Sequence, residues 1–312
     1  MGHIPVLFAP SLELLLGNPQ LETGGVIVDA TFGGGGHSRG LLEKSPATVR
    51  VVALDRDPAA LPRAQSLLQE FPSRFQLLAG NYAELVPLLH SAGIERIDGL
   101  LLDIGLSSFQ LEERERGFSF QTDGPLDMRM DPTTGRPAAD LVNRAEARTL
   151  AKIFRDYGEE PYARAIAREI VARRETAPLL STRDLAGLIE AMVPAHKRTR
   201  RHPATRVFQA LRIVVNGELE ALEKVLQAGL EILNPGGRMV VISYHSLEDR
   251  LVKRCFRQAA RGCICPPRIP VCTCGRRPRV RILTGRGLRP EAEEVAANPR
   301  SRSAVLRAVE AL

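Results

Sequence analysis

Five short apolar runs punctuate the chain: Val26 to Val28, Val51 to Leu54, Phe75 to Leu78, Leu100 to Leu102 and Met239 to Ile242. Each is too short to be a buried helix, and helical patterns lie between them. That alternation predicts a mainly parallel sheet with crossover helices. Asp57-Pro58 announces the helix after the second run, the aspartate as a cap and the proline at the first helical position. From Glu218 to Leu233 the apolar positions Leu219, Leu222, Val225, Leu226 and Leu230 fall on one helical face, and Asn234-Pro-Gly-Gly237 breaks that helix before the last run. Between the fourth and fifth runs lie roughly 130 residues, far more than one crossover needs. Charged loops come first there, Glu112 to Arg116 and Asp127 to Asp131, then helical text such as Tyr162 to Arg174. The pattern predicts an α/β domain formed by residues 1–110 and 206–312, with an inserted, mostly helical domain at 111–205.

Charge sharpens this picture more than composition does. With 44% hydrophobic and 25% charged residues the 312-residue chain has the make-up of a soluble globular protein, and no stretch approaches a membrane span. The region before Pro10 lacks a basic segment followed by an apolar run, so a cytoplasmic location is expected. The net charge is +7, yet Arg250 to Arg289 holds 12 Lys and Arg with no acid, which leaves −5 for the rest. A second acid-free basic run is His196-Lys-Arg-Thr-Arg-Arg-His-Pro-Ala-Thr-Arg206. Such segregation points to a polyanionic partner, and nucleic acid is the candidate.

Asp29-Ala-Thr-Phe-Gly-Gly-Gly-Gly-His-Ser-Arg-Gly-Leu-Leu42 follows the first apolar run and places four glycines before a helix. Such a loop brings backbone close to a bulky ligand. A triphosphate-binding loop would need Gly-Lys-Ser/Thr, and here His37-Ser38 follows Gly36, so that reading fails. Gly33-x-Gly35-x-x-Ser38 matches the dinucleotide fingerprint only loosely. Asp55 closes the second run 20 positions after Gly35, where a carboxylate can accept both hydroxyls of a ribose. Asp29 would sit uneasily beside a pyrophosphate but suits the cationic amino-acid moiety of adenosylmethionine.

Taken together these blocks closely resemble bacterial 16S ribosomal RNA cytosine-N4-methyltransferases. The resemblance rests on Asp29-Ala-Thr-Phe-Gly33, Gly35-Gly-His-Ser38, Leu54-Asp-Arg-Asp57, Leu102-Asp-Ile-Gly-Leu-Ser-Ser-Phe-Gln110, Arg116-Gly-Phe-Ser-Phe120 and Gly124-Pro-Leu-Asp-Met-Arg-Met-Asp-Pro132. It continues in His202-Pro-Ala-Thr-Arg-Val-Phe-Gln-Ala-Leu-Arg212, Ser243-Tyr-His-Ser-Leu-Glu-Asp-Arg250 and Asn298-Pro-Arg-Ser-Arg302. It implies a class I methyltransferase, Rossmann-like fold and S-adenosyl-L-methionine as cofactor. It also implies a cofactor site of Gly35, Gly36, His37, Asp55, Tyr82, Asp103 and Gln110, and a cytidine of the small-subunit decoding region as substrate. Whether naked RNA or the assembled small ribosomal subunit is methylated stays open, and no protein partner is readable. The chemistry gives Asp103 a catalytic role, as acceptor for the proton of the cytosine amine. Many amino-methyltransferases carry Pro-Pro-aromatic after the fourth strand, where this chain has Ile104-Gly-Leu106. The ring that stacks on the base is therefore open among Phe109, Phe118 and Phe120.

An NAD-dependent oxidoreductase would share the loop but has no use for the basic segments, and a non-enzymatic ribosome-assembly factor would not need the glycines. Cys263-Ile-Cys265 and Cys272-Thr-Cys274 have a spacing that could hold one zinc through four thiolates, with disulfides or plain thiols as the alternatives. No residue is assigned to a metal. Ser246 with Asp249 reads as a helix capping box, which leaves His245 to the pocket wall.

Overall fold

The structure, a computed structural model, describes residues 5–193, 196, 202–265, 271 and 273–312. The chain forms two compact units, Met1–Gly105 with Leu219–Leu312, and Leu106–Glu218.

The first unit is built on a seven-stranded sheet of β1 (Gly25–Asp29), β2 (Val49–Asp55), β3 (Phe75–Ala79), β4 (Ile97–Asp103), β5 (Leu233–Ser243), β6 (Val280–Ile282) and β7 (Val305–Ala311). Their order is β3-β2-β1-β4-β5-β7-β6. β1 to β5 pair in parallel, and β7 runs antiparallel to both β5 and β6. Successive residues serve opposite cores. Val28, Val52, Leu54, Leu100, Leu102, Met239 and Val241 face one, and Ile27, Val51, Ala53, Leu101, Val240 and Ile242 the other. Burial on both faces explains why these strands read as unbroken apolar runs rather than alternating ones. Leu222, Val225 and Leu226 of the helix Glu218–Ile232, with Val252 and Phe256 of Ser246–Ala260, cover the first face. Leu12 and Leu15 of Phe8–Leu16, Leu41 and Leu42 of Gly36–Lys44, and Leu67 of Ala60–Glu70 cover the second.

Asp98 ties three segments at the other end of β4. Its Oδ2 accepts the Val26 N–H at 2.8 Å and its Oδ1 the Asn234 side-chain amide at 2.7 Å, while its carbonyl accepts from Asn18 Nδ2 at 3.3 Å. Gly25 must be glycine for this, because a Cβ there would stand 2.6 Å from Asp98 Oδ2.

β6 and β7 are absent from the expectation drawn from apolar runs. β7 is buried along most of its length, but Arg307 interrupts its apolar text. Arg307 is 7% exposed, and its guanidinium is held by Asp249, Nε to Oδ1 at 2.6 Å and Nη2 to Oδ2 at 3.2 Å. A buried, paired arginine hides a strand from a hydrophobicity pattern.

The second unit is helical, with Ala138–Arg144, Ala147–Gly158, Ala163–Thr176, Thr182–Met192 and Thr205–Asn216 around a core that includes Phe154, Ile166, Ile170, Leu185 and Leu211. The expected boundary at 205 is corrected here. Val207, Phe208, Ala210 and Leu211 are buried in this core, and Gly158 lies so near the Thr205–Asn216 backbone that a Cβ would meet the Arg206 carbonyl at 2.5 Å. The basic text before residue 205 obscured a helix whose apolar face belongs with its predecessors.

Replacing Asp98 by alanine should leave the Val26 N–H and the Asn234 amide without an acceptor in a buried setting. A loss of about 1–3 kcal/mol is expected from denaturant unfolding; a change below the error of that measurement would remove Asp98 as a tie.

Candidate active site

The glycine loop leaves β1 through Ala30, Thr31 and Phe32 and enters the helix Gly36–Lys44. Two of its residues need the left-handed region, Gly33 at φ 55 and Gly35 at φ 75. The turn is closed by Gly35 N–H donating to the Phe32 carbonyl at 2.7 Å, and Gly33 N–H donates to Asp55 Oδ2 at 2.8 Å. Any side chain at Gly35 would press within 2.7 Å of the Phe32 ring, and one at Gly36 within 2.5 Å of Pro5.

Three aspartates end neighbouring strands, Asp29 on β1, Asp55 on β2 and Asp103 on β4. β1 and β4 adjoin where the strand order reverses, the point at which open parallel sheets bind ligands. Asp29 is 1% exposed. Its Oδ1 accepts the Thr31 N–H at 3.2 Å and its Oδ2 the Ser38 hydroxyl at 2.7 Å. Burial pushes its carboxyl up to about 6, against the pull of Ser38. The structure thus makes Asp29 the internal tie of the loop. Asp55 is partly exposed; besides Gly33 it accepts the Asp57 N–H at 2.9 Å, and burial raises its carboxyl above the ordinary value.

Asp103 is raised further than Asp29. Its side chain is 23% exposed, and Oδ2 stands 3.7 Å from His37 Nδ1. The Tyr244 hydroxyl donates to its Oδ1 at 2.7 Å, and the Thr31 hydroxyl accepts its backbone N–H at 2.7 Å. Burial raises the carboxyl to about 7 despite the Tyr244 bond, with the charges of Asp29 and Glu248 adding to the rise. Burial, then Asp103 itself, pushes the Tyr244 phenol well above its ordinary value. Carboxylates crowded at one crevice, with raised proton affinity, are matched to a cation.

Loop and strand ends thus gather Gly35, Gly36, His37, Asp55 and Asp103 in one unit. Tyr82 follows β3 in the same unit, partly buried and packed against the core on one face of the sheet. Gln110 belongs to the second unit, where its carboxamide closes a capping box with Ser107, each side chain accepting the other's backbone N–H at 3.2 Å. Sequence reasoning quoted Tyr244 without a role; its position one residue beyond β5, opposite the end of β4, was the available signal. The capping box expected from Ser246 and Asp249 is set one residue earlier. His245 Nδ1 accepts the Glu248 N–H at 3.4 Å, and Glu248 Oε2 accepts the N–H groups of Tyr244 and His245. His245 caps a helix, a task that its side chain shares with the usual hydroxyls. Of the aromatic candidates, Phe118 is buried and Phe120 packs between His202 and Phe208, ring centroids 4.6 and 4.9 Å away, while Phe109 is exposed.

Compared with known proteins, the whole of residues 1–312 matches the MraW methylase family. The chain belongs to that family. Ribosomal RNA small subunit methyltransferase H of Thermomicrobium roseum is 55% identical over 99% of this chain and 93% of its own. The protein of that name from Syntrophotalea carbinolica is 52% identical over 99% and 98%. Among solved structures, an rRNA methylase from Streptococcus thermophilus is 12% identical over 100% of this chain and 99% of that one, with a TM-score of 0.42. Among the described residues no helix is long and apolar enough to cross a membrane.

A carboxyl whose folded-state value lies above its unfolded one stabilises fully below the unfolded value near 3.9, and that stability is lost as pH rises through the folded value. For Asp103 the loss runs from roughly pH 4 to 7. Asp103→Asn should therefore raise the melting temperature of the ligand-free protein, by more at pH 8 than at pH 5. A pH-independent difference in scanning fluorimetry would contradict the assigned burial of charge.

Proposed function

We propose that this methylase-family chain transfers a methyl group from S-adenosyl-L-methionine to the N4 amine of a cytidine in the decoding region of 16S ribosomal RNA, in the cytoplasm and on the small ribosomal subunit. The observation that carries the chemistry is the set of carboxylates at the ends of β1, β2 and β4, with Asp103 held by Tyr244 and raised to about 7. The whole-chain family match and relatives named for the small-subunit ribosomal RNA support the substrate.

The residues fit the cofactor. The positive-φ turn at Gly33 and Gly35 sets backbone beside the carboxyl ends of the strands, Asp55 offers a partly exposed carboxylate suited to ribose hydroxyls, and the crowded acids would be relieved by an ammonium and a sulfonium. His37 and Tyr82 complete the cofactor set proposed for this unit. Bound there, S-adenosylmethionine supplies an electrophilic methyl group on a good leaving group. The cytosine amine is a poor nucleophile because its lone pair is delocalised into the ring, so alignment and an acceptor for its proton are what the protein must add. Tyr244, donating to Oδ1, fixes the rotation of the Asp103 carboxylate and leaves Oδ2 as the oxygen offered to the amine. As nitrogen gains positive charge in the transition state, its N–H becomes a stronger donor and the bond to that oxygen is worth more than in the ground state.

A methyl-transfer assay on small subunits and on naked 16S RNA lacking the modification tests the function directly. Labelled N4-methylcytidine in the product digest is the expected result, and label on any other base or on none would overturn the reading. Within that assay, Asp103→Ala should lower the single-turnover rate at saturating cofactor by at least about 100-fold, with Asp103→Asn in between. The wild-type rate should rise with pH while Asp103 deprotonates, and the Asn variant should lose that limb. A defect rescued fully by more cofactor would make Asp103 a binding residue only.

RNA phosphates are assigned to the basic segments. Arg257, Arg277, Arg286 and Arg289 are exposed, whereas Lys197 to Arg201 lie outside the described residues. RNA affinity should fall steeply with salt, and each arginine neutralised among these four should flatten the log-log slope by roughly 0.7 to 0.9. An unchanged slope in the fourfold variant would place the phosphates elsewhere.

A further inference from the structure

The cysteines between residues 263 and 274 serve no role in the crevice described above, yet their geometry is specific. Sγ atoms of Cys263, Cys265 and Cys274 all lie within 4.8 Å of one another, and all three residues are free of disulfides. Cys274 and Cys263 Sγ are 3.8 Å apart. Four sulfurs held tetrahedrally about 2.3 Å from one zinc ion stand about 3.8 Å from each other, whereas a disulfide needs about 2.0 Å.

The surrounding backbone is arranged for thiolates. The Cys265 N–H points at Cys263 Sγ from 3.4 Å, and the Thr273 hydroxyl stands 3.7 Å from Cys265 Sγ. Hydrogen bonds of this kind orient sulfur ligands and compensate their charge. Net charge agrees: the acid-free stretch from Arg250 to Arg289, with its 12 Lys and Arg, can neutralise a thiolate centre that carries excess negative charge. A set of sulfur ligands without imidazole or carboxylate selects zinc over hard cations such as magnesium or calcium.

We propose that Cys263, Cys265 and Cys274 hold a structural zinc ion that shapes the loop carrying Arg261, Arg276 and Arg277 for contact with RNA phosphate. Cys272, two positions before Cys274, lies outside the described residues. The RNA clause rests on the function proposed above, and the metal clause stands without it. Elsewhere in the chain the remaining cysteine, Cys255, is buried against the sheet, where burial pushes its thiol up to about 11, and it is the internal control.

The test uses the full-length protein purified with a reductant and without chelator. Elemental analysis should find about one zinc per chain, and Cys255→Ser should keep it. Cys263→Ser and Cys265→Ser should each lower zinc retention at least tenfold against a chromogenic chelator, with melting curves showing that the variants stay folded. Cobalt added to metal-free protein should give the intense visible bands of tetrahedral thiolate coordination. Metal-free protein that takes up neither ion, a Cys263–Cys274 disulfide in non-reduced peptide maps, bound iron in place of zinc, or zinc retained by the Cys263/Cys265/Cys274 triple serine variant would each overturn the site. RNA affinity unchanged by zinc removal, with cofactor binding intact, would overturn the presentation of the arginines alone.

Discussion

One buried carboxylate holds the crevice together. Asp29 takes the Thr31 N–H on one oxygen and the Ser38 hydroxyl on the other, so both ends of the glycine loop are fixed to the end of β1. Thr31 in turn accepts the Asp103 N–H, which links the same tie to β4. A carboxylate that accepts on both oxygens in a dry setting is strongly directional. The loop needs such a tie, because glycines at positive φ give up much conformational freedom on folding.

The same arrangement is electrostatically uncomfortable. Asp29, Asp55 and Asp103 are each desolvated, and each is raised in proton affinity. In the ligand-free molecule this is a stored cost, and a cationic ligand is the natural relief. Preorganised groups that are unfavourable alone and favourable with the ligand are a recurrent trade of stability for function. Tyr244 belongs to that trade: its hydroxyl stabilises the Asp103 carboxylate while burial keeps the phenol itself from ionising.

Much of this was legible in the sequence, and the failures have physical causes. The five parallel strands announced themselves because both faces of β1, β2, β4 and β5 are buried. The carboxylates at strand ends followed from the position of Asp29, Asp55 and Asp103 after apolar runs. β7 escaped because Arg307, neutralised by Asp249, sits in its middle, and no local pattern announces a partner 58 positions away. The helix Thr205–Asn216 was given to the wrong unit because periodicity shows that a face is apolar but not what it packs against. Asp29 stands after an apolar run in the sequence, but its bonds to Thr31 and Ser38 depend on how the loop turns, which no local pattern shows. Tyr244 gained its meaning only when the sheet order set β5 beside β4.

The place of β7 in the sheet bears on how the molecule comes into being. It is the last of the seven strands in chain order, yet it lies inside the sheet, between β5 and β6. Until residues 305–311 have been synthesised, β5 presents an unpaired edge and β6 has no neighbour in the sheet. A nascent chain would carry its first five strands with one long apolar border open, and such a border invites pairing with other chains. During synthesis that border is the edge of the growing sheet most open to association, a property the finished fold no longer shows.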